Sequence, residues 1–182
     1  SLINNPSIVA SNRGECYNLN PNDENNQAIE LAVNDMPNWI KNEFSVAFWV
    51  YHRETASRSI LFGSHALNGS YNFNIEKMAN SNALRVYMEE KPDVSITACT
   101  LDVDTWTHVV VTKSTTELNV YKNGIKVYTR AHARTDLWKN SDSVVYRLGR
   151  DNRNDSTALN GMLNDFRIYD HVLSQKEIKN LS

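Results

Sequence analysis

Apolar and polar positions alternate with a period of two along most of this chain, and only its last stretch shows helical spacing. In Phe44-Ser-Val-Ala-Phe-Trp-Val-Tyr51, the residues Phe44, Val46, Phe48 and Val50 share one face, with Ala47, Trp49 and Tyr51 on the other. A strand apolar on both faces is covered on both sides or lines a groove. Shorter segments of the same kind predict strands at 14–19, 28–33, 58–63, 71–76, 83–89, 95–100, 106–114, 117–122, 125–130, 144–149 and 161–169. Twelve short strands divided by turn residues predict an all-β sandwich or barrel. Three Asn-Gly pairs, Asn68-Gly69, Asn123-Gly124 and Asn160-Gly161, suit type I′ hairpins, in which both central residues need positive φ. Asn123-Gly124, set between 118–122 and 125–128, is the clearest of them. Near the C-terminus, Ser174 and Glu177 form a capping box ahead of Ile178 and Leu181, which predicts a helix of about two turns packed on a sheet.

Composition narrows the class. At 182 residues the chain reads as one domain, 1–182, long enough to bury a core without a metal or disulfide staple. A net charge of −2 and a pI near 6.2 give no electrostatic reason to expect nucleic acid as a partner. No stretch approaches the ~20 apolar residues that membrane insertion requires. The 24 asparagines favour turns over long helices. Glycosylation sequons at Asn68, Asn154 and Asn180 are no more than chance placement provides. Cys16 and Cys99 have no metal-ligand spacing; they are either buried free thiols or, in an exported chain, one disulfide. The chain opens at Ser1 with no basic and apolar leader, so a signal peptide is expected to be absent or already removed.

Several segments in order carry a family likeness. A strand at 14–19 precedes Phe-x-Val-x-Phe-Trp-Val at 44–50; then come Trp106-Thr-His-Val-Val-Val-Thr112 and the hairpin around Asn123-Gly124. The chain closes on Asn160-Gly-Met-Leu-Asn-Asp-Phe-Arg-Ile-Tyr-Asp-His-Val-Leu-Ser174 and the capped helix. From Gly14 to Leu181 this pattern resembles the laminin-G-like family of the concanavalin A-like lectin/glucanase superfamily. The resemblance implies a jelly-roll sandwich of two curved antiparallel sheets with a short C-terminal helix. It also implies a domain that binds glycans or proteins, often with calcium at a rim. Within the signature, alternation sends Phe166 and Ile168 to the core and Arg167 and Tyr169 outward. Trp106 reads as a core plug at a strand start and His108 as a structural histidine.

Nothing in the chain has the spacing of a catalytic motif. The closest glycines, Gly63 and Gly69, are six positions apart, too far for a Gly-rich phosphate loop or a nucleophile elbow. The paired acids that the resemblance would bring from glucanases, E-x-D-x-x-E, do not occur. For calcium, the resemblance points to Asn164 and Asp165 with a carbonyl near Asn12, a set one carboxylate short of the family pattern. A sugar site needs an aromatic face and planar polar groups. Four loops supply that mixture, and the candidate ligand-binding residues are Tyr51, Arg53, Arg58, His132, Trp138, Arg150, Asn152 and Arg153. The sequence thus predicts a non-enzymatic recognition module, binding a glycan or a host-surface protein, in an extracellular, cell-surface or virion protein. The alternative is a structural or adhesion domain of the same fold without a sugar site.

Overall fold

The computed structural model describes residues 2–3, 6–20, 27–31, 43–53, 56–66, 73–88, 99–132, 144–150 and 157–182. Its strands are β1 (Leu2–Ile3), β2 (Ser7–Ser11), β3 (Gly14–Leu19), β4 (Ala28–Leu31), β5 (Phe44–His52), β6 (Ser59–Ala66) and β7 (Phe73–Lys77). They continue as β8 (Leu84–Met88), β9 (Thr107–Lys113), β10 (Glu117–Lys122), β11 (Ile125–Ala131), β12 (Val144–Leu148) and β13 (Gly161–Tyr169), followed by the helix α1 (Gln175–Leu181). Two antiparallel sheets form, one ordered β1-β4-β12-β6-β7-β8 and the other β11-β10-β9-β5-β13-β3-β2. The sandwich and the short C-terminal helix are those expected from the alternation.

Between the sheets lies one core. From the seven-stranded sheet it takes Phe44, Val46, Phe48, Val50, Val109, Val111, Leu118, Val120 and Leu163. From the six-stranded sheet it takes Phe62, Phe73, Ile75, Leu84, Val86, Tyr146 and Leu148. Phe73 is the aromatic hub, edge-on to Phe44 at 5.5 Å and to Phe62 at 6.3 Å. Phe166 and Ile168 pack against this core as anticipated, but only because β13 carries a bulge between Asn164 and Arg167. Asp165 occupies it at φ 50°, a left-handed conformation that Asp tolerates better than most side chains. The bulge shifts the alternation by one residue, so Leu163 and Phe166 both point inward.

The outer face of the seven-stranded sheet is half covered. Ala47, Val110 and Tyr121 make a second apolar cluster with Leu173 and Ile178, and Tyr169 and Leu181 pack at its edge. Ser174 caps α1 through the expected box with Glu177. At the Asn123-Gly124 hairpin both residues have positive φ, 49° and 76°, as a type I′ turn requires.

Four expectations are revised. Strands β1 and β2 were not anticipated, because β2 is an outermost strand whose side chains are mostly exposed and need no alternation. Of the strand expected at 95–100, residues 95–98 lie outside the described residues, and Thr100 makes only an isolated bridge to Ala83. Asn160-Gly161 is no hairpin turn: Gly161 begins β13 directly against the backbone of Tyr51. Trp106 is no core plug; one position before β9, it shares the outward phase of His108 and meets the Tyr51 ring at 5.6 Å. Asn68-Gly69 lies outside the described residues. Cys16 and Cys99 are both buried free thiols.

Candidate functional site

Strand register brings a row of polar groups across the outer face of the six-stranded sheet. Arg147 pairs with Glu30 on one side and Gly63 on the other; Gly63 pairs with Asn74, and Asn74 with Tyr87. Five strands, at about 4.8 Å per step, thus present Glu30, Arg147, Gly63, Asn74 and Tyr87 in one line. Each is out of phase with core residues on its own strand, such as Ile29, Leu148, Phe62, Ile75 and Val86. Beside this line run Ile60, Glu76 and Arg85, also in register. Gly63 contributes no side chain to the line between Arg147 and Asn74.

Ion pairs hold the row rigid. Arg147 donates from Nε and Nη2 to Glu30 Oε2 at 3.0 and 2.8 Å. Glu76 is fully buried and ion-paired with both Arg58 and Arg85. The Arg85 guanidinium lies 5.5 Å from the Tyr87 ring centre. Asn74 is 2% exposed, and its Oδ1 is buried with no hydrogen-bond partner. A buried acceptor left unpaired is costly and calls for an explanation. Forked donors, acceptors, an amide and an aromatic ring in one row are the groups that polyhydroxylated ligands engage.

Of the loop residues expected to bind ligand, Arg58 is drawn into this network through Glu76. Arg150 follows the end of β12, half-buried. His132 is buried just after β11, where its backbone N–H donates to the Thr116 carbonyl. Tyr51 and Arg53 come together, but on the other sheet: the Arg53 guanidinium lies 5.7 Å from the Tyr51 ring centre, and Asp104 lies near the Tyr51 hydroxyl. Trp138, Asn152 and Arg153 lie outside the described residues. Sequence reasoning missed Glu30, Asn74, Glu76, Arg85, Tyr87 and Arg147. Their signal is the polar half of each strand's alternation, as in Leu84-Arg-Val-Tyr-Met88.

The corner expected to hold calcium is occupied by other bonds. Arg167 Nε donates to Asp165 Oδ1 at 2.6 Å, and Asn164 Nδ2 donates to the Glu15 carbonyl at 2.6 Å. Asn12 is exposed at the β2–β3 turn. A cation that wants six to eight oxygens meets, among the described residues, Asp165 already bonded to Arg167, the Glu15 carbonyl already bonded to Asn164, and the Glu15 carboxylate at the edge of the hollow these residues line. As arranged, these residues do not fit calcium. Among the described residues no three His, Cys, Asp or Glu side chains cluster as a metal site.

On the half of the seven-stranded sheet away from α1, the buried rings of Trp49 and His108 stack at 5.0 Å. His108 is pushed down to a pKa of about 4, first by burial and then by Arg13, with Asp165 opposing and Arg167 adding. It is therefore a neutral, buried ring, in keeping with a structural role.

A laminin-G-type family model, described as the concanavalin A-like lectin/glucanases superfamily, matches residues 23–179. The chain belongs to this superfamily. Among solved structures, this superfamily member resembles domain 4 of AbnA, a GH43 extracellular arabinanase from Geobacillus stearothermophilus, in complex with arabinotriose. That match has a TM-score of 0.79 and 16% identity, and covers 100% of this chain and 86% of that one. The binding domain of botulinum neurotoxin DC, in complex with rat synaptotagmin II, matches at a TM-score of 0.70 and 16% identity, over 100% of this chain and 45% of that one. Trypanosoma rangeli sialidase matches at 0.62 and 16%, over 92% and 27%. Identities this low establish a shared lectin-like sandwich and no shared ligand. A search of curated proteins finds no match.

Proposed function

We propose that this chain is a non-enzymatic recognition domain that binds carbohydrate on the outer face of its six-stranded sheet. The observation that carries the reading is the polar row Glu30–Arg147–Gly63–Asn74–Tyr87, with the unpaired Asn74 Oδ1 within it. A sugar ring seated over Gly63 would bring hydroxyl donors to Asn74 and hydroxyl acceptors to Arg147, with Tyr87 at the end of the row. Both carboxylates in the two rows, Glu30 and Glu76, are engaged by arginines, an arrangement suited to holding a ligand and not to exchanging protons with it. Lectin-like relatives, one of them seen with arabinotriose, agree with this reading. With that reading goes the proposal that the domain belongs to a secreted, cell-surface or virion protein.

A glycan array with wild type, Asn74→Ala and Arg147→Ala tests it. Wild type is expected to bind a restricted set of glycans, and both variants to lose at least tenfold in affinity. Absence of specific binding to any glycan, with and without added calcium, would overturn it. The alternative, a protein-contact or adhesion domain, is favoured by Ile8 and Ile125, 59% and 66% exposed on the two outermost strands of the seven-stranded sheet. A stable homo-oligomer in light scattering, together with a silent array, is the result that reading requires.

A further inference from the structure

The opposite face carries a cluster of aromatic rings and guanidiniums with no carboxylate partner among the described residues. Next to α1, β5 presents Trp49 and Tyr51, about 7 Å apart on one side of the strand. Each ring is paired with a guanidinium. Arg13, reaching from the β2–β3 turn, lies 3.3 Å from the Trp49 ring centre, and Arg53 lies 5.7 Å from that of Tyr51. The turn holds Arg13 in place: Ser11 Oγ accepts its backbone N–H at 3.1 Å and donates to the Gly14 carbonyl at 3.0 Å. Arg53 Nη2 is steadied by Asn18 Oδ1 at 2.7 Å.

Neither arginine has a carboxylate partner among the described residues. Of the two acids nearby, Asp165 is bonded to Arg167, and Asp104 lies by the Tyr51 hydroxyl, with no ion pair to Arg53. Trp49 is 8% exposed, and its Nε1 is buried without a hydrogen-bond partner, as is Nδ1 of the stacked His108. Arg13 and the Trp49 indole N–H therefore have no acceptor among the described residues, and Arg53 has only the neutral Asn18 amide. Such a surface complements a ligand rich in acceptors and negative in charge, and a planar carboxylate matches the guanidinium fork. Tyr51 and Trp106, both half-buried with ring centres 5.6 Å apart and planes at 56°, add an aromatic flank against which a pyranose ring can rest.

We propose that Arg13, Trp49 and Arg53 form a second binding site, separate from the six-stranded face, for the carboxylate of an acidic sugar. The carboxylate bridges the two guanidiniums and takes the Trp49 N–H, and the sugar ring lies toward Tyr51 and Trp106.

The direct reporter is the Trp49 indole N–H resonance in a ¹⁵N-labelled protein, assigned by comparison with Trp49→Phe. Sodium D-glucuronate is titrated against D-glucose and against sodium chloride of equal ionic strength. The expected result is a saturable shift with glucuronate alone, weakened at least tenfold in Arg13→Gln and in Arg53→Gln. Both arginines are on the surface, so these variants should keep the wild-type melting temperature. A shift reproduced by sodium chloride, a shift unchanged in Arg13→Gln, or no saturable shift would each overturn the proposal. Asn74→Ala should respond like wild type, so failure here is separable from failure of the six-stranded face.

Discussion

The backbone carbonyl of Tyr51 occupies the space that a β-carbon on Gly161 would need, with the Tyr51 carbonyl carbon and the His52 α-carbon 3.1 Å from it. The obstruction is backbone of the central strand β5, which cannot rotate aside as a side chain can. Gly161→Ala should therefore push β13 away from β5 and cost about 3 kcal/mol. In a domain of this size that lowers the melting temperature by roughly 6–12 °C. Gly14→Ala is the contrast: nothing lies near its β-carbon, and only its φ of 84° opposes the change. A loss of about 1 kcal/mol is expected there. Differential scanning calorimetry on the two variants checks the ranking.

Stability should depend on pH through His108. Its pKa falls from 6.5 to about 4 on folding, so between those values the unfolded chain takes a proton that the folded one refuses. The contribution is fully present above pH 6.5 and is lost as the pH falls toward 4. Solvent screening of the neighbouring arginines leaves a loss of about 2 kcal/mol. Urea midpoints at pH 7 and pH 4 should differ less in His108→Asn than in wild type by that amount.

Glu76 should matter more to folding than any other acid in the described residues, because it is fully buried between two arginines. Glu76→Leu removes the buried carboxylate that both Arg58 and Arg85 bind. A destabilisation of about 3–5 kcal/mol is expected in chemical denaturation. A change below 1 kcal/mol would show that the arginines turn to solvent instead.

Asn74 should behave in the opposite way. Removing a buried acceptor that has no partner sacrifices no hydrogen bond. Asn74→Ala should therefore keep or slightly raise the melting temperature while losing glycan affinity, a signature of a group retained for binding.

Calcium should leave the fold unmoved. With Asp165 bonded to Arg167 and Asn164 to the Glu15 carbonyl, millimolar calcium or a chelator should shift the melting temperature by less than about 1 °C. A larger rise would mean that the ion displaces Arg167.

Much of the sandwich was legible because its turns and caps announce themselves. The bounds of β10 and β13 follow directly from alternation and flanking glycines, and α1 follows from Ser174 and Glu177. Residues Ser7–Ser11 gave no signal, since an outermost strand with little burial imposes no pattern. The candidate site was legible only in part. Loops were searched for aromatic and planar groups, and Tyr51, Arg53 and Arg58 do sit in polar or aromatic clusters. The row on the six-stranded sheet runs across strands in the order β4-β12-β6-β7-β8. Residues as distant as Glu30 and Arg147 meet there through pairing, and nothing local to either one reveals it.

One feature of the topology bears on how the chain is made. Strand β13 pairs with β3 through Leu163 and Tyr17, and with β5 through Leu163 and Val50. It is also the last strand in the chain. Until residues 161–169 leave the ribosome, β3 and β5 each keep an open edge, and the apolar side of the longest strands lacks part of its cover. Completion of the seven-stranded sheet is therefore a late event, and the nascent chain passes through a stage in which holdase chaperones have an exposed strand edge to bind.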